Sequence, residues 1–133
     1  MADKGGDRIM ELKNRSQYLD KLISVQDMEV IKVVTGIRRC GKSSLLKLMM
    51  AHLREQGVME EQILSMNFES MQFADMDSKS LYQYVMERAP KGKRLYLFLD
   101  EVQKVRDWQD AVNSFRVDLD CDINVTGSNA YLL

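Results

Sequence analysis

Gly36, Gly41, Lys42 and Ser43 carry the spacing G-x-x-x-x-G-K-[ST] within Gly36-Ile37-Arg38-Arg39-Cys40-Gly41-Lys42-Ser43. That is the spacing of a loop that cradles phosphate, the P-loop. Each fixed residue has a physical job. The two glycines permit backbone angles that a side chain resists, and they let main-chain N–H groups approach phosphate closely. In such a loop the Lys42 ammonium lies against the β- and γ-phosphates, and the Ser43 hydroxyl ligates Mg²⁺. The candidate phosphate-binding segment therefore runs from Gly36 through Ile37, Arg38, Arg39, Cys40, Gly41, Lys42 and Ser43 to Ser44. A glycine-rich turn is the plainer alternative, and the flanks argue against it. Ile31 and Val33 to Thr35 read as a buried strand interrupted only by Lys32, and Ser44 to Arg54 reads as a helix with its N-terminus aimed at an anion.

A phosphate-binding loop does not by itself split phosphate. The run Leu95-Tyr96-Leu97-Phe98-Leu99-Asp100-Glu101 supplies a second element, an apolar strand that ends in two carboxylates. In an open parallel sheet, ligands sit at the carboxyl ends of the strands. Asp100 is then placed to hold Mg²⁺ through water, and Glu101 to orient or deprotonate an attacking water. Taken alone, the pair is equally an acidic turn. A third segment, Asn124-Val125-Thr126-Gly127-Ser128-Asn129, ends another strand in small polar groups. Asn129 or Ser128 is a candidate partner for a γ-phosphate or a lytic water, and a turn rich in turn-forming residues is the alternative.

The elements that must position these groups alternate. A helical pattern over about Ile9 to Ser24 precedes a strand from Val30 to Thr35. The helix after the loop has Leu45, Leu46, Leu48, Met49 and Leu53 on its expected buried side and stops near Gly57. A strand from Ile63 to Phe68 follows, then a polar loop over Glu69 to Lys79 and a helix from Ser80 to Arg88. Pro90 to Lys93 is a turn. Beyond the Leu95 strand, Asp107 is a candidate cap for a helix carrying Trp108, Ala111, Val112 and Phe115, and the last strand spans Ile123 to Thr126. Strands alternating with helices predict βαβ units and a parallel sheet.

Composition narrows the class. The chain has 133 residues, 45% hydrophobic and 29% charged, with a formal net charge of −1. That suits one globular domain and gives no overall electrostatic reason to bind nucleic acid, although a local patch remains compatible. No apolar run has the length of a membrane span or a signal-peptide core. Cys40 and Cys121 make neither a disulfide framework nor a metal site. A cytoplasmic protein with reduced thiols is expected.

With these segments read, the chain resembles AAA-superfamily ATPases. More closely, it is similar to a prokaryotic family of ATP-binding proteins, AAA domain family fourteen, whose members pair an N-terminal ATPase core with a C-terminal domain of unknown function. The resemblance is carried by Tyr18-Leu19-Asp20-Lys21-Leu22, the Gly36–Ser43 loop with its paired arginines, Leu97-Phe98-Leu99-Asp100-Glu101-Val102-Gln103, Trp108, and Thr126-Gly127-Ser128-Asn129. It implies an α/β fold of the P-loop NTPase type, with helices flanking a parallel sheet. It implies Lys42 and Ser43 as loop ligands, Asp100 as the Mg²⁺-associated carboxylate and Glu101 as the catalytic one. Asn129 matches the polar sensor, with Ser128 second, and Asn67 sits where a polar partner restrains the glutamate. Strands in such cores are ordered 5-1-4-3-2. This chain supplies the first four, so the first strand is expected at an exposed edge. The fifth strand and the helical lid are expected to be missing from a truncated chain, with a polar, disordered tail over residues 1–8 and a partial core over 9–133. The implied partners are ATP, Mg²⁺, and either further copies of the chain or its own missing C-terminal domain.

Three functions compete. Mg-dependent hydrolysis of ATP follows from the loop together with Asp100-Glu101. A P-loop kinase is the first alternative, but it does not require paired carboxylates ending a strand. A nucleotide-binding fragment without turnover is the second. A GTPase is disfavoured, because no N-K-x-D base-reading motif follows the loop.

Overall fold

The computed structural model describes residues 31–34 and 39–127 together with Asp20 and Ile23; for residues 39–43 it describes the backbone alone. Strand β3 (Leu95–Asp100) is buried at all six positions. A strand covered on both faces belongs inside a parallel sheet. It lies between β2 (Ile63–Asn67) and β4 (Cys121–Thr126), and β1 (Ile31–Val34) follows β4 at the edge, giving the order β1-β4-β3-β2. Every pairing is parallel, with Val34 opposite Thr126, Leu97 opposite Ile123 and Asn67 opposite Asp100. The α/β class, the parallel sheet and the expected relative order of the four strands are therefore all present.

Alternation along the strands sorts side chains into two faces. Leu95, Leu97, Leu99, Ile123 and Val125 pack in one core with helices α2 (Ser78–Arg88) and α3 (Trp108–Asp118). In α3, Trp108, Ala111, Val112 and Phe115 are the buried residues, at the spacing of one helical face. Val34, Tyr96 and Phe98 pack in a second core with Leu45, Leu46, Met49 and Leu53 of α1 (Arg39–Glu55). The sheet thus lies between α1 and the α2–α3 pair. Ile23, helical and half-buried, packs on the α1 side; the rest of the helix expected over 9–24 lies outside the described residues, as do the tail at 1–8, Val30 and Thr35.

The helix ends have local causes. α1 stops where Gly57 takes φ +94°, an angle that a Cβ resists. There the Val58 N–H donates to Leu53 O at 3.0 Å and the Gly57 N–H to Arg54 O at 3.1 Å, the paired bonds of a glycine-terminated helix. α2 starts at Ser78 rather than Ser80, because Asp77 caps it. The Asp77 carboxylate accepts the Ser80 N–H at 2.9 Å, and the Ser80 hydroxyl accepts the Asp77 N–H at 2.9 Å. Part of the expected loop over 69–79 is ordered as a short 3₁₀ turn, Met71–Phe73, whose Phe73 ring meets Phe68 and Tyr84 edge-on.

Several expectations are corrected. α1 begins at Arg39, so the helix already includes the end of the loop motif. Leu48 is 39% exposed and lies off the buried stripe, since Leu45, Met49 and Leu53 already fill it at four-residue spacing. β2 ends at Asn67, β3 extends to Asp100 and β4 begins at Cys121. Asp107 occupies the cap position of α3 without capping through its side chain: its backbone is left-handed at φ 58°, and its carbonyl accepts the Asp110 N–H at 3.0 Å. In β1 the exposures are inverted relative to the sequence reading. Val33 is 41% exposed and Lys32 is buried. Lys32 points to the α1 face, where its ammonium pairs with the Asp122 carboxylate of β4.

Burial of that ion pair makes its two halves interdependent. Lys32→Met removes the ion-pair partner of the buried Asp122 carboxylate, and the predicted loss is about 3 kcal/mol by equilibrium urea unfolding. The double variant Lys32→Met/Asp122→Leu is predicted to regain most of it.

The cap of α2 has a pH signature. The Ser80 N–H, and then its hydroxyl, hold the Asp77 carboxyl below its ordinary value of 3.8. A depressed carboxyl contributes stability that is complete above the unfolded value and is lost as pH falls through the folded one. The pH-dependent part of the Tm gap between the parent and Asp77→Ala is therefore expected to be full near neutrality and to close below about pH 3.8.

Candidate functional site

Because all four strands run parallel, their carboxyl ends share one edge of the sheet. β1 leads to α1 on one face and β3 leads to α3 on the other. Strands whose connections leave to opposite faces open a crevice at that edge, where ligands of such sheets bind. β4 ends between them.

Asp100 and Glu101 stand at this edge. Asp100 continues the alternation of Tyr96 and Phe98, so its carboxylate lies on the α1 face of the sheet. Both residues are buried, at 6% and 7% exposure. Two charged groups at that depth require partners. The Asp100 Oδ1 accepts a hydrogen bond from the Thr126 hydroxyl at 2.5 Å. The same hydroxyl oxygen accepts the Glu101 N–H at 2.9 Å. The Glu101 Oε1 accepts a bond from Gln103 Nε2 at 2.7 Å. Glu101 itself is left-handed, with φ 60° and ψ 51°. That conformation costs a residue with a Cβ about 1–2 kcal/mol, and it turns the chain sharply at the point where the carboxylate must leave the strand.

The helical end of the candidate phosphate-binding segment follows β1 on the α1 side. α1 starts at Arg39, shortly beyond the end of β1, so Arg39, Cys40, Gly41, Lys42, Ser43 and Ser44 form the first turns of the helix. A helix leaves its first N–H groups without partners of its own, and its dipole favours an anion there. Gly36, Ile37 and Arg38 lie outside the described residues, as do Ser128, Asn129 and the side chains of Arg39 to Ser43. Asn67 is exposed beside Asp100 in the register, but its Oδ1 accepts the Glu69 N–H at 2.9 Å and does not restrain Glu101. Gln103 fills that role in this structure.

Nothing in the sequence alone assigns a role to Thr126 or Gln103. Thr126 was legible only as a β-branched residue ending a strand; a hydroxyl's partner across two strands has no local signal. Gln103 has one weak signal, its place two residues beyond Glu101.

The donor set suits a hard cation. Mg²⁺ is usually held by one or two carboxylates, with phosphate and water completing its shell, rather than by an all-protein cage. Asp100 supplies one such carboxylate, and among the described residues no cluster of three or more His, Cys, Asp or Glu side chains forms a cage. Cys121 lies at the opposite end of β4. Burial pushes its thiol up to about 11, so it is not a ready nucleophile. No described helix is long and apolar enough to cross a membrane.

With this geometry in view, comparison with known proteins gives the family. The model of a family described as AAA domain matches residues 29–133, and the chain belongs to that family. Nucleotide binding of the ATPase type is the activity that this family suggests. The chain is also 42% identical over 122 residues to an uncharacterized protein of Haemophilus influenzae, covering 90% of this chain and 30% of the relative. It therefore spans less than a third of that relative's length. No solved structure matches it.

Proposed function

We propose that residues 9–133 form a partial AAA-type core that binds ATP and, with Mg²⁺, hydrolyses it to ADP and phosphate. The observation that carries the reading is the buried Asp100–Glu101 pair, held at the carboxyl edge of the sheet on the side where α1 begins. In this reading Gly36 to Ser44 wrap the phosphates, with Lys42 against the β- and γ-phosphates. Ser43 and Asp100 hold Mg²⁺, directly or through water. Mg²⁺ supplies neutralisation of the charge that develops on the phosphates. Glu101 orients the attacking water and accepts its proton, with Gln103 fixing the carboxylate. Ser128 and Asn129 contact the γ-phosphate or that water. Further copies of this chain, or the polypeptide that the longer relative carries, are the proposed partners.

A second reading is favoured by one observation. The chain spans 30% of its relative, and nucleotide binding without efficient turnover suits a piece of a larger machine.

Titration calorimetry with Mg-ATP and Mg-GTP tests the site, and phosphate release tests the chemistry. ATP is expected to bind in preference to GTP, and Lys42→Ala to abolish binding. Glu101→Gln is expected to keep binding and to lower any turnover at least about 100-fold. Normal turnover in Glu101→Gln contradicts the role given to that carboxylate. Binding with no turnover by the parent selects the second reading.

A further inference from the structure

Thr126 is completely buried at the end of β4, and one hydroxyl group there makes two contacts of different kinds. It donates to a carboxylate oxygen of Asp100 and accepts from the main-chain N–H of Glu101. A hydroxyl has one proton to donate and lone pairs to accept, so both bonds form together without competition. The next residue, Gly127, donates its N–H to Val34 O at 3.3 Å, which fastens the same corner to the end of β1. The Thr126 side chain thus joins the ends of β3 and β4, and the main chain of the next residue joins β4 to the end of β1. The left-handed turn at Glu101 begins with the N–H that Thr126 holds.

We propose that Thr126 is the positioning residue of the site, fixing the Asp100 carboxylate relative to the main chain from which the Glu101 side chain departs, and tying both to the end of β4. The inference deepens the ATPase reading and rests on it. A shift of the β4 end on nucleotide binding reaches the Asp100 carboxylate and the Glu101 main chain through this hydroxyl. The side chain acts through Asp100 and Glu101 and does not touch substrate. Valine has the shape of threonine without the hydroxyl, whereas serine keeps the hydroxyl without the methyl.

The test uses the full 133-residue chain with two readouts, Mg-ATP turnover and NMR exchange of the Glu101 amide proton. For Thr126→Val we expect kcat to fall about 10–100-fold, a higher Mg²⁺ concentration at half-maximal rate, and a KM for ATP within about threefold of the parent. The Glu101 amide is expected to exchange at least about tenfold faster, while the Leu97 amide in mid-strand keeps its protection. Thr126→Ser restores both readouts, which a purely structural role for the methyl does not predict. Thr126→Ala carries the same expectations if the valine variant does not fold. Parent-like Glu101 exchange in a folded hydroxyl-free variant overturns the proposal, and so does parent-like kcat once that protection is lost. A parent that turns over no ATP counts against the ATPase reading alone. The positioning claim is then decided by Glu101 exchange and by Mg²⁺ dependence of ATP affinity, and an unchanged value of either in Thr126→Val overturns it.

Discussion

Burial of β3 on both faces is the constraint from which the rest of the architecture follows. A six-residue strand with no exposed side chain needs a strand on each side and a helical layer above and below. β2 and β4 supply the first, and α1 and the α2–α3 pair supply the second. Parallel connections of this kind bring every strand's carboxyl end to the same edge. The acidic pair that ends β3 therefore arrives beside the end of β4 and near the start of α1. The site is a consequence of how the apolar run must be covered: Asp100 is buried as the last residue of β3, and Glu101 lies buried in the turn that follows it.

The same constraint explains which parts of the fold were legible in the sequence. Leu95 to Leu99 and the Trp108, Ala111, Val112, Phe115 face announce themselves, because a continuous apolar run and a 3.6-residue period are local signals. Strand order has no such local signal, and only the family resemblance implies it. Lys32 misleads a local reading. A lysine in a short strand reads as the outward position, yet its ammonium is satisfied by Asp122, 90 residues away in sequence, while Val33 faces outward on the edge. Nothing within the window of a strand records a partner that distant. Asp107 misleads in the opposite way. Its residue type and position suit a cap, but its left-handed backbone withdraws the carboxylate from capping and leaves the carbonyl to accept instead.

The candidate site shows the same division. Asp100 and Glu101 were identifiable as chemistry-bearing residues from their place after an apolar strand. Two of the partners of these carboxylates, both under 10% exposed, were not: a threonine hydroxyl from the neighbouring strand and a glutamine amide two residues on. The α1 face of β4 carries three buried polar side chains in succession, Asp122, Asn124 and Thr126. Asp122 answers Lys32, Asn124 donates to Leu97 O at 3.4 Å, and Thr126 answers the acidic pair. Each of these bonds ties β4 to a neighbouring strand at a fixed register. Along β4 they hold the strand that must deliver Thr126 to the end of β3.

In the proposed site Mg-nucleotide lies at the carboxyl edge of the sheet, between α1 and the end of β3. Paramagnetic broadening by Mn²⁺-ATP, followed on the backbone amide signals of the chain, tests it most directly. A six-residue strand separates its two ends by roughly 17–20 Å, enough to distinguish one edge of the sheet from the other. Signals of Asp100, Glu101, Gly127 and the first turn of α1 are expected to broaden beyond detection at low Mn²⁺-ATP, while those of Leu95 and Cys121 stay sharp. Broadening centred on Leu95 and Cys121, or none at any ratio, would contradict it.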